Sequence, residues 1–308
     1  MADDPALAAP SPDAPKPAPE EAFSASGLPF GLTVDELLWL AAIGIGFAAA
    51  FGPELVWMFG RWMHSEYYGH GIFIPLVSAY LIYRRRDVAA AVAGAPDRLG
   101  LVLALVGLLL QVLAVVVDVN FASNFAAIIV LWGFVAWSWG RRTALVLLFP
   151  IAYLSFMVPV DRLLIDAFAS PLQLTAAKMA AGFGGAIGVP VVRDGVNLSV
   201  PHYTFEVAVP CSGLKSLTTM GALAALFAYL VKGPTWRRLV LVASALPVAL
   251  LANATRVTLI LLVAQSMGAS MAEGFFHSFS GVVVFAVGLL GLYGVGRLLG
   301  CHALRDDI

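Results

Sequence analysis

The chain has 308 residues, 60% of them hydrophobic and only 12% charged, with a mean hydropathy of +0.89. Soluble domains carry about 25% charged residues, so this balance excludes an ordinary soluble enzyme and indicates a membrane protein. A net charge of −1 says nothing about nucleic acid and no basic stripe suggests such a partner, and two cysteines, Cys211 and Cys301, cannot build a disulfide framework.

Residues 1–30 form a Pro/Ala-rich stretch that cannot build a core and lacks the basic start and early apolar run of a cleavable signal peptide. It is read as a disordered cytoplasmic tail. Residues 31–302 are read as one transmembrane domain, and 303–308 as a short cytoplasmic tail. A helix needs about 20 apolar residues to cross a bilayer. Eight stretches approach that length: Leu37–Trp57, Gly71–Tyr83, Leu99–Val117, Phe121–Trp139, Ala144–Val158, Gly213–Val231, Leu239–Gln265 and Phe279–Leu299. The second and fifth are short and are expected to run past their apolar cores.

The expected fold is therefore an all-α polytopic membrane protein of about eight transmembrane helices. Under this arrangement twelve of the eighteen basic residues fall on one side, among them Arg84–Arg86, Arg141, Arg142, Arg237 and Arg238. Positive charge marks the cytoplasmic side, so both termini are inside (N-in, C-in). Arg162–Gly188 carries Asp166, Gln173 and Lys178; a single crossing there would split the basic loops, so it is placed at the outer face as a re-entrant or interfacial helix. Val191–Val209 follows with β-branched residues, an Asp194–Gly195 turn and alternation in Asn197–Val200 and Thr204–Val207. This is the pattern of a short β-hairpin, placed just before the sixth span.

Three chemical groups distant in sequence reach the outer level together. Arg256 lies about nine residues into the seventh span, ~13 Å deep at 1.5 Å per residue. An arginine there costs roughly 2.5–3.5 kcal/mol to insert, so it faces a cavity or a partner; pairing with a carboxylate is the plain alternative. Asn253 shares its helix face at i, i+3, and the two form a donor-rich patch suited to a carbonyl oxygen or oxyanion. Cys211 opens the sixth span, where a helix N-terminus favours a thiolate, with Ser212 beside it and the Lys215 ammonium one turn on. Taken by itself the thiol reads equally as a small buried apolar residue. His277 opens the eighth span, where it can exchange protons, and Ser280 and Gly281 keep its face small for close helix approach. His70, in Tyr67-Tyr68-Gly69-His70-Gly71, is the competing base. Cys301 is read as inert.

The Cys-Ser-Gly-Leu-Lys run at 211–215, the Asn-x-x-Arg at 253–256 and the His-x-x-x-Gly at 277–281 together resemble the exosortase/archaeosortase family, over roughly residues 37–299. Tyr68-Gly69-His70-Gly71 ahead of an arginine cluster, and Ser170-Pro171-Leu172-Gln173 leading to Gly188-Val189-Pro190, also fit. One departure is Lys215, where the family usually shows arginine. The resemblance implies a multi-pass inner-membrane cysteine transpeptidase or peptidase, its active site facing the periplasm, with no metal or cofactor. It would act on exported proteins that end in a sorting signal: a short Pro-Glu-Pro-like motif, a transmembrane helix and a basic cluster. The family's triad maps onto Cys211, Arg256 and His277, with Asn253, Lys215, Ser212 and His70 as supporting or substrate-binding residues. A small-molecule permease and a cysteine-dependent membrane acyltransferase are the alternative readings.

Overall fold

The computed structural model describes residues 34–65, 67–160, 162–201, 203–207, 212–268, 271, 275–301 and 303–305. The tail expected over 1–30 lies outside the described residues, as does most of 303–308's C-terminal half. The chain divides into two units, Met1–Ala50 and Phe51–Ile308. In the first unit the described part is the start of helix α1 (Val34–His64). The second unit carries everything below.

Ten α-helices are described. After α1 come α2 (Phe73–Ala91), α3 (Arg98–Val116), α4 (Asn120–Val146), α5 (Leu148–Tyr153) and α6 (Arg162–Ala186). Then follow α7 (Leu214–Leu230), α8 (Thr235–Ala243), α9 (Ala245–Met267) and α10 (Phe275–Leu298). Among the described residues five helical stretches are long and apolar enough to cross a membrane: Leu37–His64, Arg98–Val116, Asn120–Val146, Thr235–Met267 and Phe279–Leu298. Leu148–Met157 and Leu214–Leu230 are shorter apolar helices. The outward faces are apolar: α3 exposes Leu105, Leu109, Val112 and Val116, each more than half accessible. Such a surface is satisfied by lipid and would be an aggregation hazard in water.

Local chemistry explains the breaks. Asp97 caps α3, its carboxylate accepting the Leu99 amide at 2.9 Å. Gly140 interrupts α4 with φ +85° and ψ 163°, and a Cβ there would meet the Ala95 carbonyl oxygen at 3.0 Å. Only glycine tolerates both demands, so the chain turns between Trp139 and Arg141. The expected fifth span is a composite: the end of α4, then α5, then a 3₁₀ turn at Leu154–Met157. The expected seventh span begins earlier, as α8, and continues as α9 after Ser244.

α6 is one continuous helix through Pro171. Its small residues Ala176, Ala177 and Ala180 pack with Val257 and Leu261 of α9. Where the sequence suggests a hairpin, the structure has a three-stranded antiparallel sheet: β1 (Val192–Asp194), β2 (Asn197–Val200) and β3 (Tyr203–Glu206), in that order. Asp194 pairs with Asn197, so Gly195 and Val196 occupy the first turn. Leu198 and Val200 alternate inward onto α6 and α9, the period-2 burial of a half-covered strand. The Gln173 amide donates to the Val207 carbonyl at 2.9 Å, tying α6 to the chain as it leaves the sheet towards residue 211.

Candidate active site

The site grows from four places in the chain. The first is the turn at Gly69–Ile72, a 3₁₀ turn held by local contacts. The Tyr68 hydroxyl accepts the Val160 amide at 3.0 Å, and the Trp62 indole donates to the Met157 carbonyl at 2.9 Å. A Cβ at Gly71 would fall 2.4 Å from that indole, so the Tyr-Gly-His-Gly run is shaped by packing as much as by chemistry. Its outcome is to fix His70.

The second place is the start of α7. Ser212 is fully buried, and its hydroxyl accepts the Leu214 amide at 3.3 Å, turning the chain into the helix. Gly213 precedes it at φ +91°, and a Cβ there would lie 3.1 Å from the Asn253 amide nitrogen. Positive φ and contact with Asn253 together demand glycine. Lys215, in the first turn, is exposed.

The third and fourth places are α9 and α10. Asn253 is fully buried, and Arg256, one turn on, is half-buried. The Arg256 Nε donates to the Ser280 hydroxyl of α10 at 2.9 Å. That bond crosses between two apolar helices, where a guanidinium needs a polar partner. The plain alternative, a carboxylate partner for Arg256, has no example among the described residues, where the Nε is met by a hydroxyl.

These elements surround a cavity of about 770 Å³. Its polar lip is made by His70, Lys215, Thr219 and Arg256, while its depth is apolar, lined from α2, α7 and α10. The structure thus brings three expected residues, Arg256, Lys215 and His70, to one cavity. Asn253 and Ser212 stand behind it at the α7–α9 junction rather than on its wall. Cys211 lies outside the described residues. The backbone of His277 belongs to α10, one turn before Ser280, and its side chain lies outside the described residues.

Two residues at the site were not read from the sequence as polar partners. Thr219 accompanies His70: its hydroxyl lies 3.4 Å from Nδ1 and donates to the Lys215 carbonyl at 3.0 Å. The available signal was its i+4 spacing from Lys215 on one helix face. Ser280 was noted for size alone, whereas its hydroxyl receives Arg256.

The His70 Nε2 is buried and makes no hydrogen bond among the described residues. Burial is the main cause that lowers its pKa below 6.5; the backbone carbonyls of Phe156 and Tyr67 oppose the shift, and the Lys215 charge adds to it.

Residues 62–294 match the family model described as transmembrane exosortase. No curated protein and no solved structure matches the chain.

The lowered His70 pKa carries a stability prediction. Between the folded value and 6.5 the unfolded chain binds the proton more readily, so stability falls as pH drops through that window. The slope is at most about 1.4 kcal/mol per pH unit. His70→Gln keeps a polar group for Thr219 and removes the titration. Its unfolding temperature in detergent should vary less between about pH 7 and pH 5 than that of the unaltered chain. Identical pH profiles would contradict this assignment.

Proposed function

The chain belongs to the transmembrane exosortase family, and on that premise we propose that it is a cysteine transpeptidase or peptidase using Cys211, Arg256 and His277. The observation that carries the reading is the Arg256–Ser280 bond at the lip of a cavity shared with Lys215 and His70. A guanidinium held there is placed to grip a carbonyl oxygen of a peptide entering from outside.

The Cys211 thiolate attacks the scissile carbonyl carbon, and the C–N bond breaks as His277 protonates the departing amine. A thioester to Cys211 remains. Arg256, with Asn253 behind it, stabilises the oxyanion of the tetrahedral intermediate. His277 then takes a proton from water or an acceptor nucleophile, which attacks the thioester and releases the thiolate. Lys215 and the start of α7 favour that thiolate. A neutral His70 beside Thr219 supplies a second proton acceptor to the bound peptide. The outer strands β1 and β3 offer edges on which an extended segment can align. The substrates are exported proteins; their sorting signal comprises a short motif, a membrane helix and a basic cluster.

The same reading places the protein in the inner membrane with eight crossings, both termini inside and the cavity lip facing the periplasm. α2, the α5 segment and α7 then join the five long apolar stretches as crossings, and α6 lies at the outer face. Cysteines introduced at positions 195 and 272 should react with an impermeant maleimide once the outer membrane is opened. Labelling at 91 or 234 instead would reverse the orientation.

Two substitutions probe the chemistry. Cys211→Ala and Cys211→Ser should both abolish substrate processing without loss of the protein from the membrane, whereas Cys301→Ala should process normally. Arg256→Lys keeps the charge but loses the planar fork that reaches Ser280 and a carbonyl together. Its cleavage rate should fall ~10²-fold or more, the cost of a lost oxyanion donor. His277→Ala should cost a comparable factor and His70→Ala less. A near-normal rate for the lysine variant would reduce Arg256 to a structural charge.

A further inference from the structure

The cavity continues below its polar lip as a groove. Its floor is one face of α7: Ser216, Thr219, Leu223 and Leu226 recur at helical spacing, about 15 Å of helix at 1.5 Å per residue. One wall is α2, which contributes Phe73 and Val77. The other is α10, which contributes Gly281 and Phe285. α2 packs on α4 and α5, whereas α10 packs on α9 and α7, so these two walls belong to different parts of the bundle. Their rims are accessible: Phe73 is 63% and Val282 64% exposed.

The groove also changes character along its length. Lys215, Arg256 and His70 stand at one end, and no carboxylate lines it among the described residues. Ser216 and Thr219 stand beside them, and aliphatic and aromatic side chains line the rest. Such a gradient fits a peptide whose extended, oxygen-rich part meets the cations while an apolar helix continues below. A phospholipid would set its phosphate on the same cations and its tails below, so what favours a helix is the open face at Gly281. Gly281 adds a geometric hint. Among the described residues a Cβ there would meet nothing within 4 Å, so this small residue serves no packing contact with them. Small residues in membrane helices permit close approach of another helix, and here the approach is left to a helix from outside the chain.

We propose that the groove floored by α7 and walled by α2 and α10 receives the transmembrane helix of the exported substrate, aligning its scissile segment with Lys215 and Arg256. The identity of the occupant rests on the peptidase reading; the groove itself does not. Because the helix is gripped along three elements, selection among substrates falls on side chains well away from the cleaved bond. Gly281, Leu223 and Leu226 become specificity determinants of the reaction.

The test uses binding without cleavage. The full chain carrying Cys211→Ala is reconstituted in phosphatidylethanolamine/phosphatidylglycerol vesicles with a synthetic single-span peptide. That peptide has a polar N-terminal extension and a photoreactive leucine at mid-helix. Adducts mapped by mass spectrometry should cluster at 73–77, 216–226 and 281–285. Gly281→Leu should lower their yield by about tenfold, since it fills the groove without a clash inside the chain. Gly294→Leu, equally open on the same helix but off the groove, should leave the yield unchanged. Adducts spread over lipid-facing positions such as those of α3 would overturn the proposal. So would a photoreactive phospholipid that labels the groove and is not displaced by the peptide. If Gly281→Leu fails to accumulate, the adduct map on the chain with glycine at 281 still decides. Cysteine-dependent processing with adducts elsewhere would sink the groove and leave the chemistry standing, whereas groove adducts with a fully active Cys211→Ala would do the reverse.

Discussion

A guanidinium inside an apolar helix must be met by polar groups, because lipid offers it none. In this chain Ser280 meets the Arg256 Nε at 2.9 Å, and that demand organises the surrounding structure. It fixes α10 against α9 at the level of the lip. Arg256 also lines the cavity, where Lys215 and His70 stand. The buried Asn253 continues the polar face of α9 up to Gly213, whose positive φ lets α7 begin at that level.

A second constraint acts from the sheet side. β2 seats Leu198 and Val200 on the alanines of α6 and on α9, and the Gln173 amide holds the Val207 carbonyl. The chain therefore enters the segment before α7 from a fixed point on one side of α9 and emerges at Gly213 on Asn253. This also accounts for the departure from a simple hairpin: the third strand carries the chain back to α6.

Much of this was legible in the sequence because the signals were strong and local. An arginine within an apolar run and β-branched alternation after Val191 each have few physical explanations. Other features were not legible, for equally physical reasons. Gly140 stands in an apolar stretch like any helical glycine, and its role appears only when the Ala95 carbonyl approaches. Ser280 and Thr219 are small residues that membrane helices often carry for packing, so neither announces a polar partner. The chain of Glu54, Gln111 and Ser123 was likewise missed: Gln111 donates to Glu54 at 3.1 Å and accepts from Ser123, linking α1, α3 and α4. Its members lie 57 and 12 residues apart, and no periodic pattern joins them.

The central claim is that this arrangement serves a thiol at position 211, and the most direct measurement looks for the covalent intermediate. The full chain in vesicles would be incubated with a single-span peptide bearing the candidate signal, quenched in acid, digested and examined by mass spectrometry. The account predicts a peptide adduct on Cys211 that hydroxylamine removes. Cleavage of the peptide without any adduct at Cys211, or with a comparable adduct at Cys301, would contradict it.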